Sequence, residues 1–221
     1  MKPLIACLLL LLSVPAVMGG DPKAPPARVV MTGKVTLLIQ STNVKVSIQP
    51  GEDVGKKLAE ALKSVTATRF DLADNTSIVV AFPPKTVTPN DFFNVKDKLV
   101  AVEGILTSTD DSVLVALGPK GAKQVPLLIA EKLIWVDDKN KAKLPAENQA
   151  TIEGVADKAE IRLGSITVGW AIRNGDGRIP LLLAKDTSSP NAGSKMLTSG
   201  MVRVVEGQPV LEASKVESRK K

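Results

Sequence analysis

Ile166-Thr-Val-Gly-Trp-Ala-Ile-Arg-Asn-Gly-Asp-Gly-Arg-Ile-Pro-Leu-Leu-Leu-Ala184 holds two apolar runs hinged on Asn174-Gly175-Asp176-Gly177. Asn-Gly and Asp-Gly tolerate the positive φ that a tight hairpin turn requires. The stretch therefore predicts paired strands over Ile166–Ile172 and Ile179–Ala184. Working outward, Ala150–Val155 supplies a strand before the pair, and Met201–Val205 and Val210–Val216 supply two after it. Glu206-Gly207-Gln208-Pro209 joins the last two tightly. Thr187–Ser199, rich in Ser, Pro, Asn and Gly, is the one long connection.

Upstream the signals are again mostly those of strands. Val29–Ile39 is rich in β-branched residues, and Val44, Val46 and Ile48 alternate with Lys45 and Ser47. Ser77–Phe82, Leu99–Leu106, Val113–Leu117 and Val125–Val136 are further apolar runs. Thr107–Ser112 reads as a hairpin connection. One helix is expected, because Val54, Leu58, Leu62 and Val65 form a single stripe. Glu52 and Asp53 at its start and Lys63 near its end suit the helix dipole.

The fold class expected is mainly β: two Greek-key β-barrel modules with one amphipathic helix, after a signal peptide. The boundaries are a signal peptide over 1–20, a Pro-rich lead-in over 21–28, a β-rich module with one helix over 29–136, a charged linker over 137–148, a second barrel over 149–217 and a basic tail over 218–221. A faint internal repeat supports two related modules. Val100-Ala-Val-Glu-Gly104 echoes Ala150-Thr-Ile-Glu-Gly154 and Arg203-Val-Val-Glu-Gly207; Val125-Pro-Leu-Leu-Ile-Ala130 echoes Ile179-Pro-Leu-Leu-Leu-Ala184.

This strand order resembles the OB-fold, the small five-stranded Greek-key barrel. Gly154 is then the residue that lets the first strand curve round. Thr86-Val-Thr-Pro-Asn-Asp91 followed by Leu99-Val-Ala-Val-Glu-Gly104 resembles the periplasmic bacterial OB-fold stress-tolerance proteins, and Ser199–Gly207 is similar. The resemblance implies a non-enzymatic binding module of the envelope.

The start of the chain predicts export. Lys2 is a basic n-region, and Leu4–Leu12 is an apolar run broken by Ser13 and Pro15. Ala16, Gly19 and Gly20 are small residues suited to a cleavage site, with the cut expected near Gly19 and Gly20. The run is short of the roughly 20 residues of a spanning helix, so the mature chain is expected to have no transmembrane segment.

Composition narrows the chemistry. The chain has no His and no Tyr, and its one cysteine, Cys7, lies in the expected leader. The mature protein thus has neither the commonest general base nor a thiolate. Triads built on His, zinc sites built on His or Cys, and disulfides are all excluded. No cofactor and no metal site is expected. Aromatics are only 3%, which gives single-stranded nucleic acid or sugars few platforms. The net charge of +6 is mild.

The candidate ligand-binding residues are Arg162, Arg173 and Arg178, placed round one hairpin where they could hold an anion. Gly118-Pro-Lys-Gly121 lacks the Lys-Ser/Thr ending of a phosphate loop. Asp110-Asp111 and Asp137-Asp138 lack the alternating ligands of a calcium loop. Asn75-Thr76-Ser77 matches a glycosylation acceptor. The function expected is an exported, non-catalytic binding or scaffold protein of the cell envelope. Its expected partner is an anionic envelope component or another envelope protein. The alternatives are a polyanion-binding module, for polysaccharide, lipid or nucleic acid, and a hydrolase using carboxylates alone.

Overall fold

In the computed structural model, the described residues are 26–35, 38–42, 64–72, 75–83, 98–175 and 177–218. Their strands are β1 (Arg28–Lys34), β2 (Leu38–Thr42), β3 (Ser64–Asp71), β4 (Ser77–Phe82), β5 (Leu99–Thr109), β6 (Val125–Trp135), β7 (Gln149–Leu163), β8 (Ile166–Asn174), β9 (Gly177–Leu183), β10 (Lys195–Val205) and β11 (Gln208–Ser218). One helical turn, α1 (Ser112–Val115), lies between β5 and β6. Among the described residues no helix is long and apolar enough to cross a membrane.

The quoted hairpin forms where its turn chemistry puts it, with Arg173 opposite Arg178 and Asn174 opposite Gly177. β7 pairs antiparallel with β8, and β9 runs parallel to β11. β11 pairs antiparallel with β10, and β10 returns to β7, so the sheet closes on itself. This is the order of the OB-fold barrel.

The first half repeats it. β1 pairs with β5 and β2 with β3, so the two share the place that β7 takes in the second barrel. β3 pairs with β4, β4 runs parallel to β6, and β6 pairs with β5. The fold is mainly β, with two OB-like barrels.

The barrels are joined edge to edge through β1 and β7. Val29 lies opposite Ile152 and Met31 opposite Ala150. In the first barrel Val29 also faces Gly104, and in the second Ala150 faces Gly200. Val29 and Ala150 are therefore equivalent, as are Met31 and Ile152. The β1–β7 register is reciprocal about Val30 and Thr151, the signature of a local twofold axis.

That equivalence corrects the repeat read from the sequence. Both Gly104 and Gly200 sit at a register shift between the fourth and fifth strands of their barrels. Gly104 lies opposite Ala130 and Gly200 opposite Ala213. Val125-Pro-Leu-Leu-Ile-Ala130 thus matches Gln208-Pro-Val-Leu-Glu-Ala213, and not Ile179–Ala184. Val100–Gly104 matches Met196–Gly200, and neither Ala150–Gly154 nor Arg203–Gly207. Gly154 packs its Cα face against Ile172, as Gly33 does against Phe70 in the first barrel.

One apolar cluster runs through both barrels, with Met31, Phe70, Phe82 and Leu128 from the first and Ile152, Ile172 and Leu211 from the second. A second cluster lies on the outer face of the first barrel. There Val79, Ala81, Leu127 and Ile129 pack under Leu114 and Leu117. β4 is consequently buried on both faces. Burying each of those leucines stabilises the fold by about 2 kcal/mol.

Two elements depart from the sequence reading. Val113–Leu117 is no strand. Asp111 Oδ1 accepts hydrogen bonds from the Val113 and Leu114 N–H groups at 3.0 and 3.1 Å, which starts a helical turn. A short apolar run fits either state, and here the need to cover β4 and β6 decides it. Replacing the cap, Asp111→Ala, is expected to cost about 1 kcal/mol and to lower the thermal midpoint by about 3 °C, read by circular dichroism. Of the expected helical stripe, Val65 belongs to β3; Val54, Leu58 and Leu62 lie outside the described residues. So do the expected strand on Val44, Val46 and Ile48, the signal peptide, the lead-in up to Pro25, Thr86–Asp91 and the tail from Arg219.

Candidate binding surfaces

The outer face of the second barrel carries two of the three candidate arginines together. Arg173 and Arg178 stand directly across the β8–β9 ladder. Like charges so placed repel, and Asp157 on β7 relieves them: Arg178 Nε lies 2.6 Å from Asp157 Oδ2. The Arg178 side chain is 55% exposed, so this ion pair adds little stability. Arg162 is elsewhere. It faces Thr167 at the far end of β7, beyond a register shift, whereas Arg173 faces Val155. At about 3.3 Å per residue, Val155 and Arg162 are separated by roughly 20 Å.

One aspartate of each acidic doublet serves the backbone. Asp111 caps α1. Asp137 Oδ1 accepts from the Lys139 and Asn140 N–H groups at 3.0 and 2.9 Å, and Asn140 Oδ1 accepts from the Asp137 N–H at 2.9 Å. Gly118–Gly121 forms the turn after α1, with the Gly118 N–H donating to Val115 O at 2.9 Å. Asn75 is exposed with a positive φ of 60°. Among the described residues, no three or more carboxylates, histidines or cysteines gather into a metal-binding group. Trp135 is 40% exposed at the end of β6, with Lys98 Nζ 5.7 Å from its ring. Trp170 is turned toward the core of the second barrel.

A feature that the sequence reading missed lies between the barrels. Asn174, only 5% exposed, closes the hairpin and spans the junction. Its Oδ1 accepts from the Ala27 N–H at 2.9 Å, and its Nδ2 donates to Leu106 O at 2.6 Å. One side chain thus ties β8 to the entry of β1 and to β5. Beside it is a cleft of about 370 Å³, lined by Thr107, Ser108, Gln124, Arg178 and Gln208, with Pro180 and Pro209. Gln124 Nε2 donates to Ser108 Oγ.

A second cavity, of about 520 Å³, shares Gln124. It adds Lys120, Lys123 and Glu206, with Pro119 and Pro126. The two cavities meet where the β10–β11 turn reaches the first barrel; a Cβ on Gly207 would stand 2.8 Å from Gln124 O. Together they form a groove that follows the barrel junction. Its walls come from residues far apart in the chain, so no local motif announces it.

No protein-family model matches this chain, and no curated protein sequence does. Among solved structures, it is similar to the wild-type single-stranded DNA binding protein from Thermus aquaticus, with 12% identity and a TM-score of 0.43 over 90% of this chain and 95% of that one. A deletion mutant of the same protein gives 13% identity and a TM-score of 0.43, over 90% and 96%. Likenesses this weak say nothing about what this chain binds.

Proposed function

We propose that this chain is an exported, non-catalytic binding or scaffold protein of the cell envelope, built from two OB-like barrels held as one body. The observation that carries the binding part of the reading is the groove between them; the export part rests on the sequence of residues 1–20. It offers amides, hydroxyls and separated cations, which suit recognition. Its one serine hydroxyl, Ser108 Oγ, is hydrogen-bonded by Gln124, a carboxamide with no basicity to activate it. The hydrolase alternative asks for two acids facing each other across a cleft, whereas Glu206 is the single carboxylate among the residues that line the two cavities. Polyanion binding at the hairpin keeps Arg173 and Arg178, with Arg178 partly neutralised by Asp157.

Expression of the full chain in a bacterial host tests the export half of the reading. Intact-mass measurement of the product is expected to show a chain beginning after Ala16, Gly19 or Gly20, recovered from the periplasmic fraction. A product that retains Met1 and stays in the cytoplasm would sink it.

A further inference from the structure

The inter-barrel groove is a site to which no ligand has been assigned, and its lining is specific enough to indicate one. This step rests on the binding reading above and narrows it. We infer that the groove receives an extended, acidic peptide segment of a partner protein.

Three features of the lining argue for this. The first is its hydrogen-bonding chemistry. Gln124 and Gln208 carry carboxamides, which both donate and accept and so match the alternating C=O and N–H groups of an extended backbone. The second is the set of prolines, Pro119 and Pro126 in one cavity and Pro180 and Pro209 in the other. Pro126, Pro180 and Pro209 are buried within β6, β9 and β11 and have no N–H to donate to a further strand. Pro119 is exposed and leaves rigid apolar surface for a side chain. The third is charge. Lys120 and Lys123 stand at one end against the single carboxylate of Glu206, and Arg178 at the other is already paired with Asp157. That balance favours acidic side chains and disfavours basic ones.

The same lining argues against the other polymers. Neither cavity has an aromatic residue among those that line it. Single-stranded nucleic acid draws about 1–3 kcal/mol per base from aromatic stacking, and this groove provides none. Asn174 cannot serve as a ligand contact without loosening the fold, because its amide already holds Ala27 and Leu106. It fixes the wall; Gln124, Gln208 and the cations read what lies against it.

Fluorescence anisotropy on the full mature protein tests the inference. The probes are a labelled decapeptide of alternating Glu and Ser, a Lys–Ser peptide of equal length, a sulfated oligosaccharide and oligo-deoxythymidine. The Glu–Ser peptide is expected to bind saturably and the Lys–Ser peptide not to bind. The double variant Lys120→Glu/Lys123→Glu should weaken the Glu–Ser peptide roughly tenfold or more while leaving the thermal midpoint unchanged. If that variant fails to fold, Gln208→Ala, at an exposed position, should still weaken binding. No saturation by the Glu–Ser peptide up to about 1 mM, equal binding by the folded variants, or tighter binding of the oligosaccharide or oligonucleotide would each overturn it. Saturable binding of the oligosaccharide or oligonucleotide in place of the peptide would overturn this inference while keeping the binding reading, whereas saturation by none of the four probes would count against both.

Discussion

Gly104→Ala and Gly200→Ala are each expected to lower stability by about 3 kcal/mol, a fall of about 10 °C in the midpoint for a chain of this length. A Cβ on Gly104 would overlap the carbonyl oxygen of Ile129, and one on Gly200 that of Glu212. Both obstacles are main chain, which cannot rotate aside as a side chain can. Both lie at a register shift in the equivalent strand of their barrel, Glu103/Gly104 in β5 and Ser199/Gly200 in β10. The shift lets the fourth strand coil tightly against the fifth, and glycine permits the close approach. Because one apolar cluster runs through both barrels, each substitution should move a single shared transition. Differential scanning calorimetry reads this directly. An unchanged midpoint for either variant would mean that the barrel closes without the close approach. A split endotherm would mean that the barrels unfold separately.

The second barrel was far more legible in the sequence than the first, for a physical reason. Its strands are joined by short turns whose residues announce themselves: Asn174–Gly177, and Glu206-Gly207, with positive φ values of 52° and 77°. The first barrel splits its opening strand into β1 and β2, and covers its outer face with its own β5–β6 connection. Covering makes β4 apolar on both faces and erases the period that marks a half-exposed strand. It also turns Val113–Leu117, which resembles a strand by composition, into a helical lid of the sheet. The repeat was visible but misregistered. The two Pro-Leu-Leu runs fall in non-equivalent strands, the fifth of the first barrel (β6) and the third of the second (β9). Glu-Gly recurs for a different reason at each site. Ladder register, which a single sequence does not contain, was needed to match Gly104 with Gly200. The three arginines show the same limit. Arg173 and Arg178 share a turn and therefore meet. Arg162 shares a hairpin with Arg173 alone, and the length of β7 carries it away.

Asn174→Leu is expected to destabilise the protein by about 3 kcal/mol. The substitution keeps roughly the same volume but removes both hydrogen bonds, leaving the Ala27 N–H and the Leu106 C=O without their present partner in a buried site. Each orphaned group costs about 1–3 kcal/mol. The loss should be local as well as global. Hydrogen exchange is expected to speed up at Ala27 and along the β1–β7 pairing before it does in β10 and β11, because Asn174 holds the entry of β1 against the second barrel. Asn174→Asp separates the two bonds. A carboxylate can still accept from Ala27, but it sets negative charge against the Leu106 carbonyl oxygen. Only the protonated acid restores a donor there, so its pKa in the folded variant lies above the unfolded value of about 3.9. The stabilisation it provides is fully present below that unfolded value and is lost as the pH rises through the folded one. The variant should therefore recover part of its deficit relative to the parent at acid pH, whereas Asn174→Leu should not. Equal pH profiles for the two variants would show that the donor to Leu106 contributes nothing, and that the acceptor for Ala27 alone ties the barrels together.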